Sequence, residues 1–584
     1  MHRRWLLQKT NPEFVHYLSK AASISPLLAR ILINRGVKTA EAARDFLDAG
    51  ISGLSDPYEL PGMREAVQRI VSAVVRGDRV LVHGDYDADG LTAAAIMVSA
   101  LREIGLDVHY FIPDRMVHGY GFNPASVGTA GKLGVRLIVT VDCGIVSFEA
   151  AACAKREGID LIITDHHEPL RKRSTAPTVR SEDPIADDAG EVVLPDAIAV
   201  VNPKLIAGDS KLLNLSGAGI AFKVAQALGM HEEMRFTDES LHSLLDLAAI
   251  GTVADVVPLT GENRVIIREG MKHVHRGRRP AMRALKEVCG LGGRTLRAGL
   301  LSYTMVPRIN AAGRLGDSGD VINLLLSERE DEAVELSTWL DGLNSQRQRI
   351  EEGVYQEALA MLDPSQTGSV IILAGEGWHQ GVVGVVASRI AERFYRPTVI
   401  FSVDNGIAKG SARSIPAFDI CRAFSDCSDL LLSFGGHKQA AGVRIESSKL
   451  GLFGERMRSL FDSSKEVAAA PEIKVDADVR LSEIKFDLVR ELSLLEPVGE
   501  GNPEPLLGAR MLEVLSPRVV GNNHVKMRLC QKSCQIEAIG FAMGNLLGRM
   551  DSASTVDVVF TPAINEWRGA RHLQLIIKAF RPSA

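Results

Sequence analysis

Eight side chains able to hold a metal ion or move a proton lie in three short clusters of the first third of the chain. The first is His83-Gly84-Asp85-Tyr86-Asp87-Ala88-Asp89-Gly90, the second is Asp142, and the third is Asp165-His166-His167. Carboxylates and imidazoles without thiolates suit Mn²⁺ or Mg²⁺, and imidazole favours Mn²⁺. So many donors exceed what one ion uses. Two ions about 4 Å apart, sharing a carboxylate and a water, would clamp a phosphoester for hydrolysis. The alternating carboxylates resemble a calcium loop. However, the twelfth position counted from Asp85 is Ile96 rather than Glu, and an apolar strand precedes, which excludes that reading. One Asp at a strand end ordinarily caps a helix or makes a turn. Three clusters at three strand ends call for more.

The elements that must position them are legible as an alternation. Apolar, β-branched runs at 79–82, 137–141, 161–164 and 197–201 are separated by helical stretches such as 91–104 and 147–157. That pattern predicts a parallel, doubly wound sheet whose ligand crevice lies at the carboxyl ends of its strands. Residues 169–194, rich in Pro, Ser, Asp and Arg, read as a surface loop insertion. From about 328 to 362 the apolar residues Leu336, Leu340, Leu343, Ile350, Val354 and Ala358 recur at helical spacing, and Asp363-Pro364 ends the run. A second α/β unit follows, with a strand at 369–374, a helix at 380–394 and a strand at 397–402. After Pro471, short strands at 473–479, 511–519, 524–531, 534–541, 556–561 and 572–579 predict a small β-barrel. The expected division is an N-terminal region and catalytic domain at 1–325, a connecting helix at 326–364, an α/β domain at 365–470 and a barrel at 471–584.

Composition narrows the class. The 584 residues are 46% hydrophobic and 24% charged, a globular balance. No run of 18 apolar residues spans a membrane, and the start of the chain has no apolar signal segment. Seven cysteines without a Cys-x-x-Cys pair fit a reducing, cytoplasmic setting. The net charge of −5 suggests no polyanion, yet residues 264–314 carry twelve Lys/Arg against Glu269 and Glu287. A basic stretch of that kind is either a steering field for a phosphate backbone or a solvated face.

The His83–Gly90, Val141-Asp142-Cys143-Gly144 and Thr164–His167 segments resemble the DHH phosphoesterase superfamily, in the order and spacing of its single-strand-specific exonucleases. The resemblance runs on through Leu247–Asp255, Pro307-Arg308-Ile309-Asn310-Ala311-Ala312-Gly313-Arg314, Trp378–Gly381, Gly410–Ile415, Gly435-Gly436-His437 and Leu495–Pro503, with Val498 where such proteins often carry Phe. It implies one ion on His83, Asp87 and Asp142 and another on Asp89, Asp142, His166 and Asp255, with Asp142 bridging. Asp246 rivals Asp255, but a residue inside a helical run more often caps or pairs. Asp85 is expected to form the turn or to support a ligand from behind, and Asp165 to orient the imidazole that follows it. His167 would face the scissile phosphate.

Phosphate contacts are expected from Arg115, Arg308, Asn310 and Arg314, and from Ser411 and Arg413 on one face of a strand. Gly435 and Gly436 would admit a close backbone, with His437 on the nucleic acid. The implied activity is 5′→3′ hydrolysis of single-stranded DNA in repair and recombination, by a cytoplasmic monomer. A single-strand-binding protein and a helicase are its expected partners. Two other readings compete: a phosphodiesterase for short oligonucleotides or cyclic dinucleotides, and a non-catalytic replication scaffold. The barrel counts against the first, and the intact ligand set against the second.

Overall fold

The computed structural model describes residues 4–113, 121–172, 190–362, 369–464, 472–521, 523–548, 555–567 and 570–583. Its catalytic sheet has five parallel strands in the spatial order Asp107–Phe111, Arg79–His83, Leu137–Val141, Asp160–Thr164, Ala199–Val201. These strands are apolar on both faces because helices cover both. Val80, Val82, Val139 and Ile162 face one core, shared with helices Met63–Arg76, Ala88–Glu103, Gly217–Gly229 and Leu245–Ala254. Leu81, Ile138 and Ile163 face the other, under helices Pro124–Lys132 and Phe148–Arg156. The strand order reverses between Arg79–His83 and Leu137–Val141, and a doubly wound sheet opens its crevice at such a point.

Helix Glu330–Ala360 begins with Glu330, Asp331 and Glu332, acids that suit a helix N-terminus. It packs on helices Pro280–Val288 and Ala298–Leu315, then on helix Gln380–Phe394 of the second lobe. That lobe's sheet runs Leu431–Gly436, Ala440–Glu446, Ile407–Arg413, Thr398–Asp404, Ile371–Glu376, and only the last two strands pair in parallel. Its Gly-rich antiparallel strands lack the long apolar runs that mark strands in sequence.

Strands Leu507–Val520, His524–Gln531, Cys534–Gly540, Val556–Trp567 and Ala570–Pro582 close into a barrel, since the first also pairs with Val556–Trp567. The N-terminal segment joins this barrel and also touches the catalytic lobe, where Arg264 donates to Phe46 O. Strand Arg4–Leu7 pairs with Glu472–Val475, and Val15, Leu18, Leu28, Ile31 and Leu32 share a core with Leu481, Leu495 and Leu512. The 169–194 insertion is framed by a short antiparallel ladder of Leu170–Lys172 with Glu191–Val193, where a loop was expected. Its middle, 173–189, lies outside the described residues.

Candidate active site

Each acidic group is fixed by local backbone chemistry. Asp87 caps helix Ala88–Glu103, its Oδ1 accepting from the backbone N–H groups of Asp89 (3.1 Å) and Gly90 (3.1 Å). Asp85 accepts from Tyr86 N–H at 2.8 Å. Asp89 turns inward, and its two oxygens accept from Gly217 N–H (2.6 Å) and Ala218 N–H (2.9 Å) at the start of helix Gly217–Gly229. Asp142 follows strand Leu137–Val141 with φ of +61°, a left-handed conformation that costs a non-glycine residue energy and clusters at functional sites. Gly217 is what lets it sit there, since an added Cβ would lie 2.5 Å from Asp142 Cβ.

Three overlapping groups result, each with donor atoms within 4.8 Å of one another: Asp85, Asp87 and Asp142; Asp89, His166 and Asp255; Asp142, His166 and His167. His166 Nε2 lies 3.0 Å from Asp142 Oδ1, and its Nδ1 3.6 Å from Asp255 Oδ2. Those two carboxylate oxygens are buried and take no hydrogen bond among the described residues. Buried carboxylate oxygens with no hydrogen-bond partner, set beside an imidazole nitrogen, are what a shared cation would satisfy. Burial, then neighbouring carboxylates, raise Asp85 and Asp89 to about 7, Asp255 to about 9 and Asp142 well above the carboxylate range. Burial, with His167 beside it, pushes His166 down to about 3 and so to the neutral form that binds metals. The donor set therefore fits divalent cations.

His167 is a third exposed. Burial opposes its charge, but Asp165, 2.7 Å from Nδ1, raises it to about 9. The imidazole that Asp165 holds is thus that of His167, while its other oxygen accepts from Ile145 N–H at 2.9 Å. Asp246 does not join the cluster, because it pairs with Arg279 at 3.1 Å.

Across the groove, the second lobe forms a cavity of about 590 Å³ lined by Arg314, Gln380, Gly384, Ser411, Arg413 and Gly436, with Gly435 also on its wall. Ser411 and Arg413 share a face of strand Ile407–Arg413, with Arg413 Nη1 3.2 Å from Ser411 Oγ. Arg314 donates to Gly381 O at 2.9 Å, tying the catalytic lobe to this wall. His437 is exposed at the turn between strands Leu431–Gly436 and Ala440–Glu446, close enough to bear on the charge of His166.

Several expected site residues are placed otherwise. The structure takes His83 out of the cluster. Its ring packs between Phe111 and Phe122, with Nε2 2.9 Å from Ser126 Oγ and Nδ1 3.5 Å from Cys143 Sγ. His83 is the last residue of its strand and points into the sheet's flank, whereas Asp85, expected to turn the chain or support a ligand, lies with Asp87 and Asp142. Arg308 is held within the catalytic lobe: it pairs with Asp341 at 2.7 Å and donates to Thr304 O at 2.8 Å. Asn310 Oδ1 accepts from Ala88 N–H at 2.8 Å, and Gly313 packs on Tyr86, where a Cβ would lie 2.5 Å from the carbonyl oxygen. The Pro307–Arg314 segment thus buttresses the first acidic loop. Arg115 lies outside the described residues.

Of the twelve basic side chains in the stretch, Arg264 alone is buried, while Lys272, Arg276, Arg278, Arg283, Arg294 and Arg297 are exposed and the other five half-buried. Buried Arg264 donates to Phe46 O (2.7 Å), Leu494 O (2.9 Å) and Leu495 O (3.0 Å), and Arg283 donates to Gly277 O (2.5 Å). Sequence reasoning missed Asn202 and Lys204, just past strand Ala199–Val201. Asn202 donates to His167 O at 3.0 Å, and the Lys204 charge reaches His166 and Asp255. Their position at a strand end was the available signal.

Comparison with known proteins covers most of the chain. Three family profiles match it: "DHH family, N-terminal domain" over residues 79–252, "DHHA1 domain" over 367–463 and "RecJ OB domain" over 475–579. The single-stranded-DNA-specific exonuclease RecJ of Bacillus subtilis is 36% identical over 581 residues, 98% of this chain and 70% of that protein. The Escherichia coli protein of the same name is 35% identical over 583 residues, covering 96% of each. The crystal structure of RecJ from Thermus thermophilus with Mn²⁺ superposes with a TM-score of 0.83 at 31% identity. That match covers 100% of this chain and 80% of the other. The same protein is also known with Mg²⁺.

Proposed function

We propose that this chain, which belongs to the RecJ family of DHH phosphoesterases, is a single-stranded-DNA-specific exonuclease that hydrolyses phosphodiester bonds from the 5′ end in repair and recombination. The observation that carries the reaction is a chain of three donor groups, Asp85/Asp87/Asp142 linked through Asp142 to Asp142/His166/His167, and that linked through His166 to Asp89/His166/Asp255. Asp85, Asp87 and Asp142 would hold one divalent ion, and Asp89, Asp142, His166 and Asp255 the other, with Asp142 common to both. Two ions of Mn²⁺ or Mg²⁺ held there would supply an activated water at neutral pH and positive charge against the phosphodiester. His167, held by Asp165 and partly exposed, stabilises charge on the phosphate or gives a proton to the leaving oxygen. Lys204 adds positive charge on the same side.

Arg413 and Ser411, with Arg314 beside them, suit a terminal phosphate, and Gly435 and Gly436 admit the strand close to the sheet. His437 reaches the strand from the second lobe. The barrel extends this path as a sequence-tolerant groove. A thread of one strand fits between the lobes more readily than a duplex, which is the physical basis we assign to strand specificity. The enzyme acts as a monomer in the cytoplasm, in keeping with seven free thiols. A helicase that exposes the strand and a single-strand-binding protein that covers it are the partners this substrate calls for.

Digestion of strands labelled at the 5′ or the 3′ end, single or duplex, in Mn²⁺, Mg²⁺ or EDTA tests the reading. The single strand should release labelled nucleotide from the 5′ end first, and EDTA should abolish release. Equal attack on duplex, or activity in EDTA, would count against it.

A further inference from the structure

The segment Leu495-Glu496-Pro497-Val498-Gly499-Glu500-Gly501-Asn502-Pro503 leads into the barrel, yet it also clasps the catalytic lobe. Leu259 N–H donates to Glu500 O at 2.8 Å. Gly499 lies against Leu259 and Gly501 against Pro258, where added Cβ atoms would sit 2.7 Å and 3.0 Å from side-chain carbons. Leu259 and Pro258 belong to the short loop that follows Asp255 at the end of helix Leu245–Ala254. In that loop Val256 has φ of +59° and is 67% exposed. A β-branched residue in the left-handed region is a genuine outlier, held only when its surroundings over-determine it. With so little packing on Val256 itself, the restraint must come from the residues beyond it.

The clasping segment is itself locked. Asn502, fully buried, donates to Leu495 O (2.8 Å) and Pro497 O (2.7 Å) and accepts from Arg35. Arg35 also donates to Pro503 O at 2.6 Å, and Arg264 reaches the Leu494 and Leu495 carbonyls. Nothing in the reaction proposed above uses these residues.

We infer that the 495–503 segment is a positioning element for Asp255: it fixes the 256–260 loop and thereby sets how tightly the ion on Asp89, His166 and Asp255 is held. The inference rests on the reading of Asp255 as a ligand. It makes the barrel and the N-terminal helices part of the metal site's scaffold, so their register is transmitted to the chemistry through Glu500, Gly501 and Pro258.

The test is Gly501→Ala in the full chain. Gly501 has φ of +67°, so a methyl there both strains the backbone and presses on Pro258. Calorimetric titration of chelator-stripped protein with Mn²⁺ should show one site weakened at least tenfold and the other unchanged. Nuclease activity should recover at high Mn²⁺, and single-strand binding in EDTA should stay within twofold of the parent. Gly521→Ala carries similar left-handed strain, at φ of +54° in a barrel turn, and should leave the isotherm unchanged. If Gly501→Ala fails to fold, Gly499→Ala, whose methyl meets only the end of the Leu259 side chain, decides on the same isotherm. A folded variant with an unaltered isotherm overturns the inference. Asp255→Asn separates the two claims: if it too leaves Mn²⁺ binding intact, the ligand assignment fails rather than the brace.

Discussion

The acidic cluster on the catalytic sheet and the basic stretch 264–314 are both dense in charge, yet their partners differ. In the first, Asp142 and Asp255 bury oxygens that take no hydrogen bond among the described residues, and like charges crowd one another. In the second, Arg264, Arg279, Arg283 and Arg308 spread their guanidinium groups over carbonyls and carboxylates of neighbouring helices and loops. Such satisfied charge contributes to packing and orientation. Charge left unsatisfied inside a cleft has a use for a ligand. The contrast teaches that sequence density of charge marks a region, while the state of its hydrogen bonds separates chemistry from scaffold.

Breaking the first region should have the largest effect. Asp142→Asn keeps the volume but removes the charge common to both ligand groups, so turnover should fall by several orders of magnitude. Strand binding in metal-free buffer should persist, and metal content of the purified variant should drop below two ions per chain. A variant that keeps two ions and cleaves within tenfold of the parent would refute the bridging role. Next in size is Arg413→Ala, on the wall shared with Ser411. Preference for a 5′-phosphate over a 5′-hydroxyl end should fall roughly tenfold, the worth of one charge-assisted hydrogen bond at about 1.5 kcal/mol. Competition between the two ends in one digest measures it, and equal losses on both would assign Arg413 a structural role.

Arg308→Ala sharpens the comparison from the scaffold side. Removing its bonds to Asp341 and Thr304 should lower unfolding stability by about 1–2 kcal/mol in urea titration. End preference should not move. A changed preference would return Arg308 to the phosphate site from which the structure removed it. The smallest effect is expected on the barrel, where contacts to a strand are distributed. Arg528 is exposed and alternates with buried Met527 and Leu529. Arg528→Ala should weaken single-strand binding about two- to threefold and shallow its salt dependence by about one ion. An unchanged salt slope would mean the strand passes elsewhere.

The sheet, the connecting helix and the barrel were legible because their apolar patterns are long and regular: Ile138, Val139, Thr140 and Val141 form an unbroken β-branched run, and Leu336 to Ala358 keep the helical spacing. The acidic cluster was legible because strand ends converge in a doubly wound sheet. His83 was not, since nothing local says whether a strand's last side chain faces the crevice or, as here, Phe111 and Phe122. Arg308 and Asn310 were misread because a small-residue segment with two arginines looks the same whether it admits a phosphate or a neighbouring loop. The partners that decide, Asp341 and Ala88, are 33 and 222 residues away. The packing of Val15 and Leu18 on the barrel joins the two ends of the chain, a contact that no local pattern encodes.

Asp142 is expected to be shared by both metal ions. Anomalous scattering at the manganese edge from crystals grown with Mn²⁺ tests it most directly. Two peaks should appear, one among Asp85, Asp87 and Asp142 and one among Asp89, Asp142, His166 and Asp255. A single peak, or a peak bound by His83 in place of Asp85, would contradict it.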